Sequence, residues 1–225
     1  QTFTHEPLPA ESGELEREAN RFLEGIEPLI RSERLSAILL QFPFSFRWDP
    51  SSLARLQHIE RSFGHLPLVL EVRHRSWFGS EALQAIEALD LSLAAIDLPY
   101  AADHPPPIPW GPSGPPNLGP VGYLRLHGRN ADAWFDPRAG RDQRYDYLYG
   151  PDEVAEIVKA TRRLASGRDE TFVITNNHFS GKAVANALEI LSELGGEKRL
   201  APSELVQAFP RLRERTRPDG QQTLF

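Results

Sequence analysis

Residues 68–97 read LVLEVRHRSWFGSEALQAIEALDLSLAAID and predict a strand, a helix and a second strand in succession. The outer segments, 68–73 and 93–97, are short and nearly continuous apolar runs, which are typical of strands covered on both faces. Between them, Ser80 stands at the start of a segment whose apolar residues recur at helical spacing. This order predicts a βαβ unit with parallel strands.

The same alternation extends along the chain. Asp49 and Pro50 predict a helix start, with a capping residue followed by proline at the first helical position. Five strands that alternate with amphipathic helices predict an α/β protein with a parallel sheet. No Gly-rich dinucleotide or P-loop fingerprint is present, which argues against Rossmann dehydrogenases and P-loop enzymes. The remaining predicted strands are 36–42, 121–127 and 172–176, and further helices are predicted at 11–31, 151–165, 181–194 and 202–209.

Composition limits the classes of function. The 225 residues carry 25 Lys and Arg against 31 Asp and Glu, so the net charge is -6. Such a chain is not expected to bind nucleic acid extensively or to bind anionic membranes. The absence of cysteine excludes disulfides, thiolate metal ligands and cysteine nucleophiles. Because no apolar run has the length of a membrane span, a cytoplasmic location is expected.

Two long loops interrupt the alternation. Residues 98–120 are rich in proline and are expected to form a stiff surface connection, with a loop that covers a substrate as the alternative. Residues 128–149 are rich in aromatic side chains, which either anchor the loop to its domain or stack on a ligand. These are Trp134, Phe135, Tyr145, Tyr147 and Tyr149.

Each of the five predicted strands turns polar at its carboxyl end. In parallel α/β folds these ends form the functional face. The period of two in a strand places Glu71 with Arg73 on one face, and Arg125 with His127 on one face. The residues at the strand ends are Gln41; Glu71, Arg73 and His74; Asp97; Arg125, His127 and Arg129; and Asn176, Asn177 and His178.

Several arginines at these ends indicate an anionic ligand, because a guanidinium group matches phosphate or carboxylate oxygens bidentately. In one interpretation Arg73, Arg125 and Arg129 bind a small anion, Glu71 or Asp97 is the general base, and His127 or His178 transfers protons. The expected binding set also includes His74, Trp77, Asn176 and Asn177. A buried ion-pair network is the structural alternative. A metal site from Glu71, Asp97, His127 and His178 is a further alternative, although their spacing is not diagnostic. These residues leave the identity of any cofactor unknown.

The strand ends carry four motifs, which are in order Gln41-Phe42-Pro43 with Ser45-Phe46, Glu71-Val72-Arg73-His74 with Ser76-Trp77-Phe78, Tyr123 to Arg129, and Asn176-Asn177-His178. They resemble the successive motifs of the YecE-like family, domain of unknown function 72. The resemblance implies a TIM-type (β/α) barrel and no established activity. It also implies three earlier strands, so the chain, which has no methionine even at position 1, is expected to lack the start of the barrel. The tyrosines at 145, 147 and 149 and the segment 181–187 with Asn186 match as well.

The expected organisation is a partial barrel over 1–200, a helix over 201–215 and a flexible tail over 216–225. In the tail, Gln221, Leu224 and Phe225 resemble the short peptide by which bacterial replication and repair proteins dock on the sliding clamp. Three hypotheses follow from these features. They are an enzyme that acts on a small anionic substrate, a non-catalytic protein that binds such a ligand, and an accessory of DNA maintenance that is recruited through the tail.

Overall fold

The computed structural model describes residues 12–108 and 119–218. Its strands are β1 Ile38–Gln41, β2 Leu68–Glu71, β3 Ser92–Leu93, β4 Ala95–Asp97, β5 Val121–Leu126, β6 Glu170–Thr175, β7 Arg199–Ala201 and β8 Thr216–Pro218. Its α-helices are α1 Ser12–Arg31, α2 Pro50–Phe63, α3 Ser80–Ala88, α4 Ala131–Phe135, α5 Arg141–Arg144, α6 Pro151–Ala165, α7 Lys182–Gly195 and α8 Ser203–Ala208. Short 3₁₀ helices span Arg75–Phe78, Phe179–Gly181 and Pro210–Glu214.

The main strands form two parallel three-stranded sheets, β1-β2-β3 and β4-β5-β6. The segment 92–97 belongs to both, because Ala94, between β3 and β4, donates its backbone N–H to the carbonyl of Leu70 at 2.9 Å. The sheets therefore form one array of five parallel segments in sequence order. The predicted α/β fold with parallel strands is confirmed.

This parallel array is curved. A guanidinium nitrogen of Arg125 on β5 donates to the side-chain oxygen of Gln41 on β1, although two strand segments lie between them. Strands spaced about 4.8 Å apart would separate these residues by about 14 Å in a flat sheet. The contact fits an array that bends so that side chains of one face converge. We call this face concave; it carries buried Val69, Ala94 and Val121.

Among the described residues, no strand pairs with the outer edge of β1 or of β6. The array is therefore not a closed barrel in this part of the chain, and the expected TIM-type barrel is not confirmed. The order and direction of its strands nevertheless bring all five carboxyl ends to one side of the molecule.

Helices cover the convex face, as their sequence patterns require. In α2, the Asp49 side chain caps the first turn by accepting from the Ser52 N–H at 2.8 Å, which confirms the predicted start. Its apolar stripe buries Leu56, Ile59 and Phe63 against the array. Burial of each such side chain contributes roughly 1.5–3 kcal/mol. Helices α6 and α7 pack in the same way over β5 and β6.

The structure differs from the sequence expectations mainly after α7. The helix expected over 201–215 is shorter, with α8 followed by a 3₁₀ turn. Residues 216–218, expected in the tail, form β8 and pair in parallel with β7. Gly79, rather than Ser80, is the residue that caps α3. In the described ranges, no helix is both long and apolar enough to cross a membrane.

Candidate functional site

Glu71, the last residue of β2, is the centre of a polar cluster on the concave face. Its side chain is completely buried. One carboxylate oxygen accepts from Nε and Nη2 of Arg73 at 3.1 and 3.0 Å, and the other accepts from Nη1 of Arg125 at 2.6 Å. A buried carboxylate requires such pairing, because burial without it is very costly.

The period of two explains why these side chains meet. Val69, Glu71 and Arg73 point to the concave face, and β5 presents Arg125 and His127 to the same face. The register pairs Gln41 with Glu71, so the side chain of Gln41 lies beside the carboxylate and accepts from Arg125. Two guanidinium groups and one carboxylate leave one formal positive charge. The cluster is thus positively charged at the strand ends.

His127 lies at the inner end of this cluster and is completely buried. Its Nδ1 accepts from Nδ2 of Asn176 at 3.0 Å, so the neutral ring carries its proton on Nε2. That nitrogen has no hydrogen-bond partner among the described residues, and the nearer oxygen of Glu71 is 3.9 Å away. Burial, followed by the positive charges of Arg73 and Arg125, lowers the pKa of His127 from 6.5 to about 2. The ring is therefore a neutral donor at neutral pH.

Two half-buried aromatic rings, Trp134 of α4 and Tyr145 after α5, pack against the imidazole of His127. Their ring centres lie 6.0 and 5.8 Å from that of His127. His178, which is exposed, lies 5.2 Å from the ring of Tyr145 and donates from Nδ1 to the Asn176 carbonyl. His178 therefore stands at the rim of the cluster and not in contact with Glu71.

Asp97 and Arg129 belong to a different cluster, which corrects the expectation of a single site. The register pairs Asp97 with Leu126, and Leu126 packs in the core under the helices of the convex face. Asp97 is 2% exposed and receives both hydrogen bonds from Nε of Arg129, at 3.1 and 3.0 Å. The other guanidinium nitrogens of Arg129 donate to Glu153 and to the Ile108 carbonyl. Arg129 is thus engaged by protein groups.

Tyr149 completes this second cluster. Its hydroxyl donates to Asp97 at 2.6 Å and accepts from the backbone N–H of Gly128 at 2.8 Å. Gly128 has a φ of 91° and packs so closely on Tyr147 that a Cβ would lie 2.6 Å from the Cβ of that tyrosine. Only glycine fits this turn after β5. The cluster therefore fixes the start of the loop that carries Trp134 and Tyr145.

The pKa shifts of the second cluster follow from its burial. Burial raises the pKa of Asp97, and the guanidinium of Arg129 and the Tyr149 hydroxyl oppose this effect. Burial and then the Asp97 charge raise the pKa of Tyr149 well above its usual value. Burial and the hydrogen bond to Glu153 raise the pKa of Tyr147 to about 12. These tyrosines stay protonated at neutral pH and serve as hydrogen-bond donors.

The structure does not bring His74, Trp77 or Asn177 to the concave cluster. His74 caps the 3₁₀ turn that follows it by accepting from the Ser76 N–H at 3.1 Å. Trp77 is completely buried, and its indole N–H donates to the Phe46 carbonyl at 2.8 Å. Asn177 is also buried and donates to the Tyr147 carbonyl and to Asn186. The contacts of all three side chains stabilise the local fold and do not reach the Glu71 cluster.

Within residues 12–108 and 119–218, no group of three or more His, Asp and Glu side chains is arranged to hold a metal ion. The alternative metal set is also divided, since Asp97 faces the convex side and His178 lies at the rim. Gln221, Leu224 and Phe225, the expected clamp-binding residues, lie outside the described residues.

The sequence did not predict the contacts of two residues in these clusters, Gln41 and Glu153. Gln41 was visible as a polar strand end, but its bond to Arg125 depends on the curvature of the array. Glu153 orients Arg129 and Tyr147, and it reads in sequence only as an acidic residue in the first turn of α6. Register and loop packing, which determine both contacts, are not local patterns.

The comparisons with known proteins agree with the resemblance of the motifs. Residues 1–211 match the family described as "Protein of unknown function DUF72". The UPF0759 protein YunF of Bacillus subtilis strain 168 is 29% identical over 192 residues, which cover 82% of this chain and 67% of that protein.

Two solved structures extend the similarity to the fold. A DUF72 family protein from Thermotoga maritima MSB8 matches with a TM-score of 0.72 and 30% identity, covering 80% of this chain and 65% of that one. A DUF72 family protein from Enterococcus faecalis V583 matches with a TM-score of 0.72 and 32% identity, covering 83% and 67%. The chain spans about two thirds of the length of these relatives. Together with the family match over residues 1–211, this similarity confirms that the chain belongs to the DUF72 family.

Proposed function

We propose that the concave cluster binds a small anionic ligand that carries a phosphate or carboxylate group, and that the protein is an enzyme acting on it. The observation that carries the proposal is the sharing of one buried carboxylate, Glu71, by two arginines. Arg73, Arg125 and Glu71 together carry a net positive charge, and Nε of Arg125 is buried without a partner among the described residues. Guanidinium donors at such a place favour an oxyanion.

In this proposal each residue has a distinct part. Arg73 and Arg125 bind the anion, and Glu71 holds both guanidinium groups in position, since both of its oxygens already accept from them. The buried imidazole of His127 lies against Glu71, with Nε2 3.9 Å from the nearer carboxylate oxygen, and acts by positioning Glu71 rather than by touching the ligand. Asn176 fixes the tautomer of His127. We further propose that the parallel array is part of a (β/α) barrel, whose active sites lie at the carboxyl ends of the strands.

Thermal unfolding with inorganic phosphate, sulfate and small carboxylates tests the binding site. We expect concentration-dependent stabilisation of the wild-type chain, because a ligand that binds only the folded state raises its stability. The Arg125→Gln variant is expected to lose this stabilisation. Arg138→Gln is the matched control, because the Arg138 side chain is exposed and, among the described residues, pairs with Asp136 alone. Equal stabilisation of both variants by the anions would remove the proposal.

Catalysis is tested separately from binding. Incubation with a library of phosphorylated and carboxylated metabolites, followed by mass spectrometry, is expected to reveal turnover that His127→Gln reduces while the fold is retained. Stabilisation by a library member without turnover would instead favour a non-catalytic ligand-binding protein.

A further inference from the structure

We infer that Trp134 and Tyr145 form an aromatic subsite near Arg73 and Arg125, so that the preferred ligand carries an aromatic ring next to its anionic group. This inference rests on the proposed anion site and names the class of its ligand. We call the two side chains the aromatic pair. Their rings are 5.8 Å apart and meet edge to face at 84°.

His127 links the two parts of this site. Its Nε2 faces the Glu71 carboxylate at 3.9 Å, and both members of the aromatic pair pack within 6.0 Å of its ring centre. Because the same carboxylate pairs with Arg73 and Arg125, the aromatic pair and the two guanidinium groups are linked through one buried imidazole. A ligand whose anionic group accepts from these partly exposed guanidinium groups can extend a ring to the aromatic pair, since aromatic groups pack at roughly 4.5–7 Å between centroids.

The aromatic pair differs from the aromatic residues that hold the core. Trp77 and Tyr149 are completely buried, and their polar atoms bond to protein groups. Trp134 and Tyr145 are only half-buried, so part of each ring remains accessible. A ligand ring can contact such a surface, whereas a fully enclosed side chain has none to offer.

Hydrogen bonds and an ion pair hold the loop that carries the aromatic pair, residues 128–149. Asn130 donates from Nδ2 to the carbonyls of Gln143 and Asp146, at 3.0 and 3.2 Å, and Lys182 of α7 pairs with the Asp146 carboxylate. These bonds close the loop between α4 and the segment after α5. The pair is therefore preorganised, which lowers the entropic cost of ligand binding.

The test compares four probes on the intact chain by calorimetry: inorganic phosphate, phenyl phosphate, cyclohexyl phosphate and benzoate. We expect phenyl phosphate to bind at least about tenfold more tightly than inorganic phosphate. Cyclohexyl phosphate, which has a saturated ring of similar size, is expected to bind more weakly than phenyl phosphate. Benzoate shows whether a carboxylate replaces the phosphate.

Trp134→Leu is expected to reduce the affinity for phenyl phosphate to that for inorganic phosphate and to leave the latter unchanged. Phe135→Leu is the matched control, because Phe135 follows on the same helix, is 50% exposed and packs on His104. Equal binding of phenyl, cyclohexyl and inorganic phosphate by the wild-type chain would overturn the aromatic subsite alone, and so would an equal loss for all probes in a folded Trp134→Leu. If none of the four probes binds the wild-type chain, the proposed anion site itself fails. Should Trp134→Leu not fold, Tyr145→Leu and the comparison of the two ring phosphates on the wild type decide the question.

Discussion

His127 and Asn176 directly follow the neighbouring strands β5 and β6, and the side-chain amide of Asn176 places the proton of the His127 ring on Nε2. The Nδ2 of Asn176 donates to Nδ1 of His127 at 3.0 Å, while the backbone N–H of Asn176 continues the ladder to the Leu126 carbonyl at 2.7 Å. The same strand pairing that builds the array therefore sets the tautomer of a buried imidazole. This arrangement gives His127 a neutral N–H donor directed towards Glu71.

The first prediction concerns the pH dependence of stability. The unfolded chain binds a proton at His127 below pH 6.5, whereas the folded chain resists it until about pH 2. The free energy of unfolding should therefore fall as the pH falls below 6.5, by up to about 1.4 kcal/mol per pH unit from this residue. His127→Gln removes this titration. Urea unfolding between pH 4.5 and 7 should show a shallower slope for the variant.

Other groups titrate in the same range, so the comparison between the two proteins is what isolates His127. Asp97 acts in the opposite sense, because its raised pKa makes stability decline as the pH rises above 3.8 and through the folded-state value. That contribution is common to both proteins. Identical slopes for wild type and His127→Gln would contradict a neutral buried imidazole.

The second prediction concerns Glu71. In Glu71→Gln the two guanidinium groups lose their shared carboxylate and repel each other. We expect a loss of about 2–4 kcal/mol in the free energy of unfolding, which is near the cost of breaking a buried pair. Asp136→Asn removes a partner of the exposed Arg138 and should cost much less, because ion pairs with exposed side chains contribute little. A loss at Glu71 as small as that of the control would show that the two arginines do not depend on it.

The five strands of the array could be predicted from sequence because helices cover one face and the other is largely apolar. Runs such as 68–73 and 121–127 are then apolar almost throughout, which is a local signal. Strands β7 and β8 have no such signal. Each has three residues, and β7 includes Arg199 while β8 includes Arg217 and Pro218. They form because the chain after α8 comes back beside residues 199–201, so that residues 216–218 pair with them.

The candidate site was predictable in part for a similar reason. Period-two alternation places Glu71 with Arg73 and Arg125 with His127, and the structure brings all four together. Alternation shows which residues of one strand lie on the same face, but it does not show which residues of the neighbouring strand lie on that face with them. That depends on register, and the pairing of Asp97 with Leu126 turns this carboxylate to the convex side. The aromatic pair depends on loop packing, for which the sequence carries no periodic pattern.

The third prediction is that the C-terminal tail binds a bacterial sliding clamp. Gln221, Leu224 and Phe225 match a clamp-binding peptide in residue type, and the preceding arginines between 211 and 217 would favour the vicinity of DNA. A pull-down with a bacterial sliding clamp should retain the intact chain and lose the Leu224→Ala/Phe225→Ala variant. Thr223→Ala is the control in the same segment. Equal retention of all three proteins would exclude this mode of recruitment.

The fourth prediction separates the two tyrosines of the convex cluster. Tyr149→Phe removes a hydroxyl that serves both Asp97 and the Gly128 N–H, and it leaves two buried groups short of a partner. We expect a loss of about 1–3 kcal/mol in the free energy of unfolding. Of the bonds in the described part of the chain, Tyr147→Phe loses the one to half-buried Glu153, at 2.8 Å, and should cost less than about 1 kcal/mol.

Because Gly128 begins the loop that carries Trp134 and Tyr145, the Tyr149→Phe change should also reach the concave face. The loss of its anchor is expected to loosen the aromatic pair, so Trp134 fluorescence, measured against Trp134→Leu as background, should become more accessible to acrylamide quenching in Tyr149→Phe than in Tyr147→Phe. A quenching constant equal in the two variants, together with equal stability, would show that the Asp97 cluster does not position this loop.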